Sequence, residues 1–108
     1  MNFHLDKKLK SKASELFADF YKIEARKYIE RRINFIAEEN NLEFNKLRIT
    51  SAKTRWGSCS SQKNINFSYR LAMAPIKTID YVIVHELAHL KEMNHSKKFW
   101  TLVEKMMN

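Results

Sequence analysis

Glycine, proline and cysteine each occur once in the 108-residue chain, as Gly57, Pro75 and Cys59. A single cysteine excludes an internal disulfide framework and fits a reducing compartment, and the plain reading of Cys59 is a small buried hydrophobe. No run approaches the roughly 18 uninterrupted apolar residues of a membrane span. The polar, lysine-rich stretch from Met1 to Lys12 also lacks the apolar segment of a secretion signal. These absences predict a cytoplasmic protein. The length suits one domain spanning 1–108, and an apolar share of 44% suffices for one modest core. Residues up to about 20 read as an extra helix or a flexible extension.

Without Gly or Pro from Leu5 to Asn40, the first third of the chain is free to be helical. Leu9, Leu16, Phe20, Tyr21, Tyr28, Ile29, Ile33 and Ile36 recur at spacings near three, four and seven, the helical period. Asn40 and Asn41 mark the end, since Asn tolerates the left-handed conformation. Lys46 to Thr50 and Asn64 to Tyr69 alternate as strands do, and the polar run from Trp56 to Lys63, holding Gly57, predicts a turn between antiparallel strands. Pro75 then opens a helix through Ile79, Val82, Ile83, Leu87 and Leu90, because its missing N–H has no partner in a first turn. Ser96 stands as the N-cap of a last helix carrying Phe99, Trp100, Leu102, Val103 and Met106. The expected class is α+β: a long N-terminal helix, a small antiparallel or mixed sheet, a motif-bearing helix and a C-terminal helix.

The net charge of +8 is concentrated in residues 41–84, where seven Lys/Arg face two Asp/Glu. Scattered basic residues usually only solvate a surface, but such an excess also attracts nucleic acid.

His85, Glu86, Leu87, Ala88 and His89 spell H-E-x-x-H within a predicted helix. Histidines four apart project from one helical face, so both imidazoles can reach one zinc ion at roughly 2.0–2.1 Å. Glu86 is then placed to take a proton from a metal-bound water, whose pKa zinc lowers towards about 7. Two ligands leave a catalytic zinc site incomplete. His95 is the candidate third, but six residues at about 100° each would carry it to the wrong face of a continued helix. The helix must therefore stop between His89 and His95, with Met93 and Asn94 as the exit and Asn94 suited to the left-handed region. The resulting spacing equals that of metzincins, although Glu92 stands where they place glycine, so that clan is not assigned. His4 is given no role.

These residues resemble the YgjP-like metallopeptidase family and, more distantly, the SprT-like and WLM-type zinc proteases. The resemblance runs from about Tyr21 to Lys105 in three blocks: Arg55 to Ser60; Asn64 to Phe67 with Tyr69, Arg70, Leu71 and Pro75; and Asp80 through Trp100. It implies a zincin-like core, one zinc per chain on His85, His89 and His95, Glu86 as catalytic base, and a peptide or protein substrate. Family members usually carry a β-rich region ahead of the helical segment, which marks this chain as a minimal member or a fragment. In such a fold an extended substrate adds to a sheet edge, with Asn64 to Tyr69 as the candidate edge. Arg55, Asn66 and Tyr69 are the candidate substrate-binding residues, and Arg55, Tyr69 and Tyr81 the candidates for stabilising an oxyanion. The plainer reading of Tyr81 is a core tyrosine behind the metal, and of Trp56, Phe99 and Trp100 simple packing.

Three other arrangements compete with peptide hydrolysis. Cys59 as a fourth ligand would make the zinc structural. The basic middle segment would suit a nucleic-acid-binding module with a structural or non-catalytic zinc. A terminal helix lying over the metal would make a zymogen-like scaffold.

Overall fold

The computed structural model describes residues 3–107, with side chains described from Lys10 onward. Helix α1, Phe3–Glu39, is one unbroken run of 37 residues. It ends as the paired asparagines predict: Asn41 takes φ 55°, and the Leu42 and Asn41 N–H groups donate to the Ala37 and Glu38 carbonyls at 2.9 and 3.2 Å. This left-handed stop satisfies carbonyls that the helix itself cannot.

The inward face of α1 is Ala25, Ile29, Ile33 and Ile36, all buried, with Tyr21 and Tyr28 half-buried beside them. Leu16 and Phe20, predicted to share that face, are instead 60% and 57% exposed. At about 100° per residue they point away from Ile29 and Ile33; spacings of four and seven alone did not separate two faces of one helix. Leu9 and His4 lie outside the described side chains.

Three short strands follow, β1 (Lys46–Thr50), β2 (Gly57–Cys59) and β3 (Asn64–Ser68). Their order is β1-β3-β2, with β1 parallel and β2 antiparallel to β3. This corrects two expectations. Gly57 to Cys59, read as turn, forms an edge strand, and the strand at Asn64, read as an edge, is the centre of the sheet. The tight turn is confined to Ser60 through Lys63, where Lys63 takes φ 67° and its N–H donates to the Ser60 carbonyl at 3.0 Å. Cross-strand pairing sets Cys59 opposite Ile65 and Gly57 opposite Phe67, so these four share a face, while Asn64, Asn66 and Ser68 turn to the other.

A 3-10 turn, Tyr69–Met73, leads to α2 (Ile76–Ala88), and α3 (Lys97–Met107) closes the chain. The Pro75 carbonyl accepts from the Thr78 and Ile79 N–H groups at 2.9 and 3.0 Å, fixing the first turn of α2. Ser96 caps α3 as predicted, its Oγ accepting from the Phe99 N–H at 3.4 Å. Ile65 and Phe67, Ile83 and Leu87, and Phe99, all essentially inaccessible, join Ile29 and Ile33 in one core. Each such side chain contributes on the order of 1.5–3 kcal/mol by burial. Arg32 of α1 adds a two-pronged pair with Asp80 of α2, both bonds 3.0 Å long, and that hydrogen bonding raises the Arg32 pKa further above its ordinary value. The clamp ties α1 to α2 at a point five residues before His85. Among the described residues no helix is long and apolar enough to cross a membrane.

Candidate metal centre

His85 occupies the last turn of α2 and His89 is its C-cap, with φ −65° and ψ −15°. The cap remains right-handed, so the one-turn stacking of the two rings survives the end of the helix, and their centroids lie 5.0 Å apart. Beyond Ala88 the backbone tightens: the His89, Leu90 and Lys91 N–H groups donate to the carbonyls of Glu86, Leu87 and Ala88 at 3.0–3.2 Å, each three residues back. The helix stop demanded by His95 is therefore present, but earlier than expected. Among the described residues only Asn41 and Lys63 are non-glycine residues with positive φ, so Asn94 does not make the left-handed exit assigned to it.

The turn returns the chain so that His95 faces both earlier histidines, its ring 5.1 Å from His85 and 4.8 Å from His89. One donor nitrogen from each of His85, His89 and His95 lies within 4.8 Å of the others. Donors gathered this closely around one point fit a shared metal ion, whose bonds to histidine run roughly 2.0–2.1 Å. Exposure rises from His89, 8% accessible, through half-buried His85 to exposed His95, so the cluster opens to solvent on the His95 side. The Nδ1 of His89 lies 3.1 Å from the Glu92 carbonyl oxygen. Donation there fixes the tautomer that leaves Nε2 for a metal.

Glu86, only 6% exposed, sets Oε2 3.1 Å from Nδ1 of His85. Its carboxylate also acts on Cys59: desolvation and then the Glu86 charge push that thiol up to about 11. Cys59 is thus a neutral, half-buried neighbour of Glu86. It stands outside the three-histidine group, which gives its reading as a fourth ligand no support.

Helix α3 supplies a wall that sequence reasoning assigned only to packing. Phe99, fully buried, stacks on His89 at 4.5 Å, and Trp100 stacks on His95 at 5.8 Å. The signal lay in the spacing, since Phe99 and Trp100 follow His95 by only four and five residues, in the first turn of α3. Trp100 nonetheless stays 45% exposed, as do Trp56 at 47% and Tyr81 at 42%. The Tyr81 ring is 6.2 Å from that of His85, so it flanks the cluster at the surface rather than backing it from the core.

The three candidate substrate residues do not converge on this cluster. Tyr69 is buried under the Arg70 guanidinium, 4.7 Å from its ring. Asn66 donates to Ser58 Oγ at 3.2 Å, on the sheet face opposite Cys59. Arg55 is exposed on the loop before β2, lining a cavity of about 150 Å³ with Lys53, Trp56 and Arg70.

A family model, YgjP-like, metallopeptidase domain, matches residues 2–108. The chain belongs to the YgjP-like metallopeptidase family. The match takes in α1 as well as the three blocks from Tyr21 to Lys105. Two solved structures are similar, the metallopeptidase zymogen abylysin of Pyrococcus abyssi and the metallopeptidase zymogen jannalysin of Methanocaldococcus jannaschii. Each is 26% identical and overlaps 71% of this chain; the overlap is 77% of abylysin, with a TM-score of 0.64, and 79% of jannalysin, with 0.63. A search of curated proteins finds no match. This chain is a metallopeptidase, a hydrolase of peptide or protein substrates, with an α+β fold shared with those two structures.

Proposed function

We propose that this metallopeptidase holds one zinc ion on His85, His89 and His95 and hydrolyses peptide bonds with Glu86 as general base. The observation that carries the reading is the convergence of three imidazole nitrogens within 4.8 Å, with the buried Glu86 carboxylate hydrogen-bonded beside the first of them. An all-nitrogen set gathered around the end of a helix, with one imidazole fixed by a carbonyl, is chemistry suited to zinc. When bound, zinc supplies a Lewis acid that polarises the scissile carbonyl and acidifies the attacking water. Glu86 takes the proton of that water and returns it to the leaving amine, a role its low exposure favours by keeping bulk water from competing. An extended substrate can add only at a sheet edge, and the edge beside Glu86 is β2, through Cys59.

The two solved relatives are described as zymogens. In this chain the exposure of His95 and of Trp100 supports an accessible centre rather than one covered by α3. In the basic middle segment Lys53, Arg55 and Arg70 line one small cavity, but Arg70 is engaged by the Ser51 and Ala52 carbonyls at 2.8 and 3.1 Å.

Metal analysis of the purified chain, together with a peptide-library cleavage assay, tests the assignment. Glu86→Gln is expected to retain one zinc and lose cleavage by at least about a hundredfold, the usual worth of a general base. Retained cleavage in Glu86→Gln, or a full zinc complement in His95→Ala, would overturn it.

A further inference from the structure

Helix α1 is longer than the body it packs against. Its 37 residues span about 55 Å at 1.5 Å per residue, which accounts for the molecule's extents of 60 × 23 × 23 Å. Among the described residues, the first fully packed one of α1 is Ala25. N-terminal to it, Leu16, Phe17, Phe20 and Ile23 are 60%, 54%, 57% and 58% exposed. Ala13, Leu16, Phe20 and Ile23 are spaced three, four and three apart, the repeat of a helix-to-helix seam. At about 100° per residue this seam lies roughly 180° from the stripe of Ala25, Ile29, Ile33 and Ile36 that enters the core. Continuing the repeat towards the C-terminus gives Lys27, Glu30 and Asn34, all polar and exposed. Apart from Phe35, which is 52% exposed with the Arg32 guanidinium 5.5 Å from its ring, the outward face is apolar where α1 extends past its own core, an arrangement that needs a partner and does not serve the monomer.

The flanking charges identify the partner. Exposed Lys10 and Lys12 border the N-terminal half of the seam, and exposed Asp19 and Glu24 border its C-terminal half. Such a distribution is complementary to itself when reversed: an antiparallel copy centred near Leu16 sets Lys10 and Lys12 of each chain against Asp19 and Glu24 of the other. Parallel pairing would oppose like charges, and an anionic lipid surface would be repelled by the same two acids. We infer that this stripe is an isologous docking surface for a second copy of the chain, pairing antiparallel through Leu16, Phe17, Phe20 and Ile23. Glu24 already lies 3.3 Å from Lys27 within its own helix, an exposed contact weak enough to be exchanged for an intermolecular one.

Sedimentation equilibrium of the full chain across a range of concentrations tests this. The parent is expected to form dimers and Phe20→Glu to remain monomeric at the same loading, with unchanged circular dichroism. Lys10→Glu with Lys12→Glu should weaken the dimer roughly tenfold or more, from four exposed charge pairs reversed across the two-fold. Adding Asp19→Lys and Glu24→Lys to the same chain should restore it. A monomeric parent, or charge reversals that leave the dimer unaltered, would overturn the antiparallel assignment, as would a monomeric parent that co-sediments with phosphatidylserine vesicles.

Discussion

Gly57→Ala is expected to destabilise the protein by about 1–3 kcal/mol, the range for overpacking a core. A Cβ at position 57 would meet Phe67 Cδ1 at 2.8 Å, Phe67 Cε1 at 3.1 Å and the Asn66 carbonyl oxygen at 3.0 Å. Ordinary carbon contacts sit near 3.5 Å, so the two strands must part by roughly 0.5 Å or the ring must turn. The ring has nowhere to go, because Phe67 is fully buried in the centre of the sheet, and the carbonyl is backbone of the same ladder. No unusual φ is involved, so the argument is one of space alone. At about 4 °C or more per kcal/mol for a domain of this size, the midpoint should fall by roughly 4–12 °C in a thermal melt of the metal-free protein. The double variant Gly57→Ala with Phe67→Leu separates cause from coincidence: relieving the clash should recover about 1 kcal/mol relative to the sum of the singles. A Gly57→Ala midpoint within about 1 °C of the parent would refute the reasoning, since a contact this close in an interior this dense cannot be neutral.

The same displacement should be felt by Cys59, two residues along β2. In the parent, a thiol pushed up to about 11 is roughly a hundredfold less ionised at pH 8 than an ordinary cysteine, so alkylation by iodoacetamide should be slower by about that factor and recover on unfolding in urea. The sign for stability follows: because the folded value lies above the unfolded one, this group's contribution is fully present below about pH 8.5 and is lost as pH rises towards 11. Asp80→Asn keeps the shape of its partner's site but withdraws the charge from Arg32, and should cost about 1–2 kcal/mol in urea denaturation, less than a fully buried pair because both side chains retain some exposure. Chelating the metal should abolish cleavage while leaving one cooperative unfolding transition, since Ile29, Ile33, Ile65 and Phe67 pack without using a ligand.

How far these features could be read from the sequence depends on how local their causes are. The α1 stop needed only Asn41, and the α3 start only Ser96, because each is decided by hydrogen bonds within a few residues. The pairing of His85 with His89 likewise needs nothing beyond helical geometry. The sheet was misread because its order is decided at a distance. Parallel pairing of Lys46 to Thr50 with Asn64 to Ser68 leaves no mark in the alternation of either strand, and a three-residue strand is too short to alternate visibly. Leu16 and Phe20 misled for a different reason: they are apolar at helical spacing, but the surface that would cover them is not in the fold of one chain.

His95 is the instructive middle case. Helical geometry required a break before it, and the break is present, yet no residue type announced its place. Asn94 looked suitable and is right-handed or extended; the turn instead begins at His89, where three successive bonds reach back three residues. Stopping α2 there lets the Glu92 carbonyl face His89 Nδ1, and the residues from His89 to Asn94 then bring His95 opposite the other two rings and Ser96 to the cap of α3. The same short segment therefore ends one helix, orients one imidazole, presents another and begins the helix whose Phe99 and Trp100 stack on both. A substitution that lengthened α2 by a turn, such as helix-favouring residues at Met93 and Asn94, would for that reason be expected to weaken metal binding far more than it altered the stability of the core.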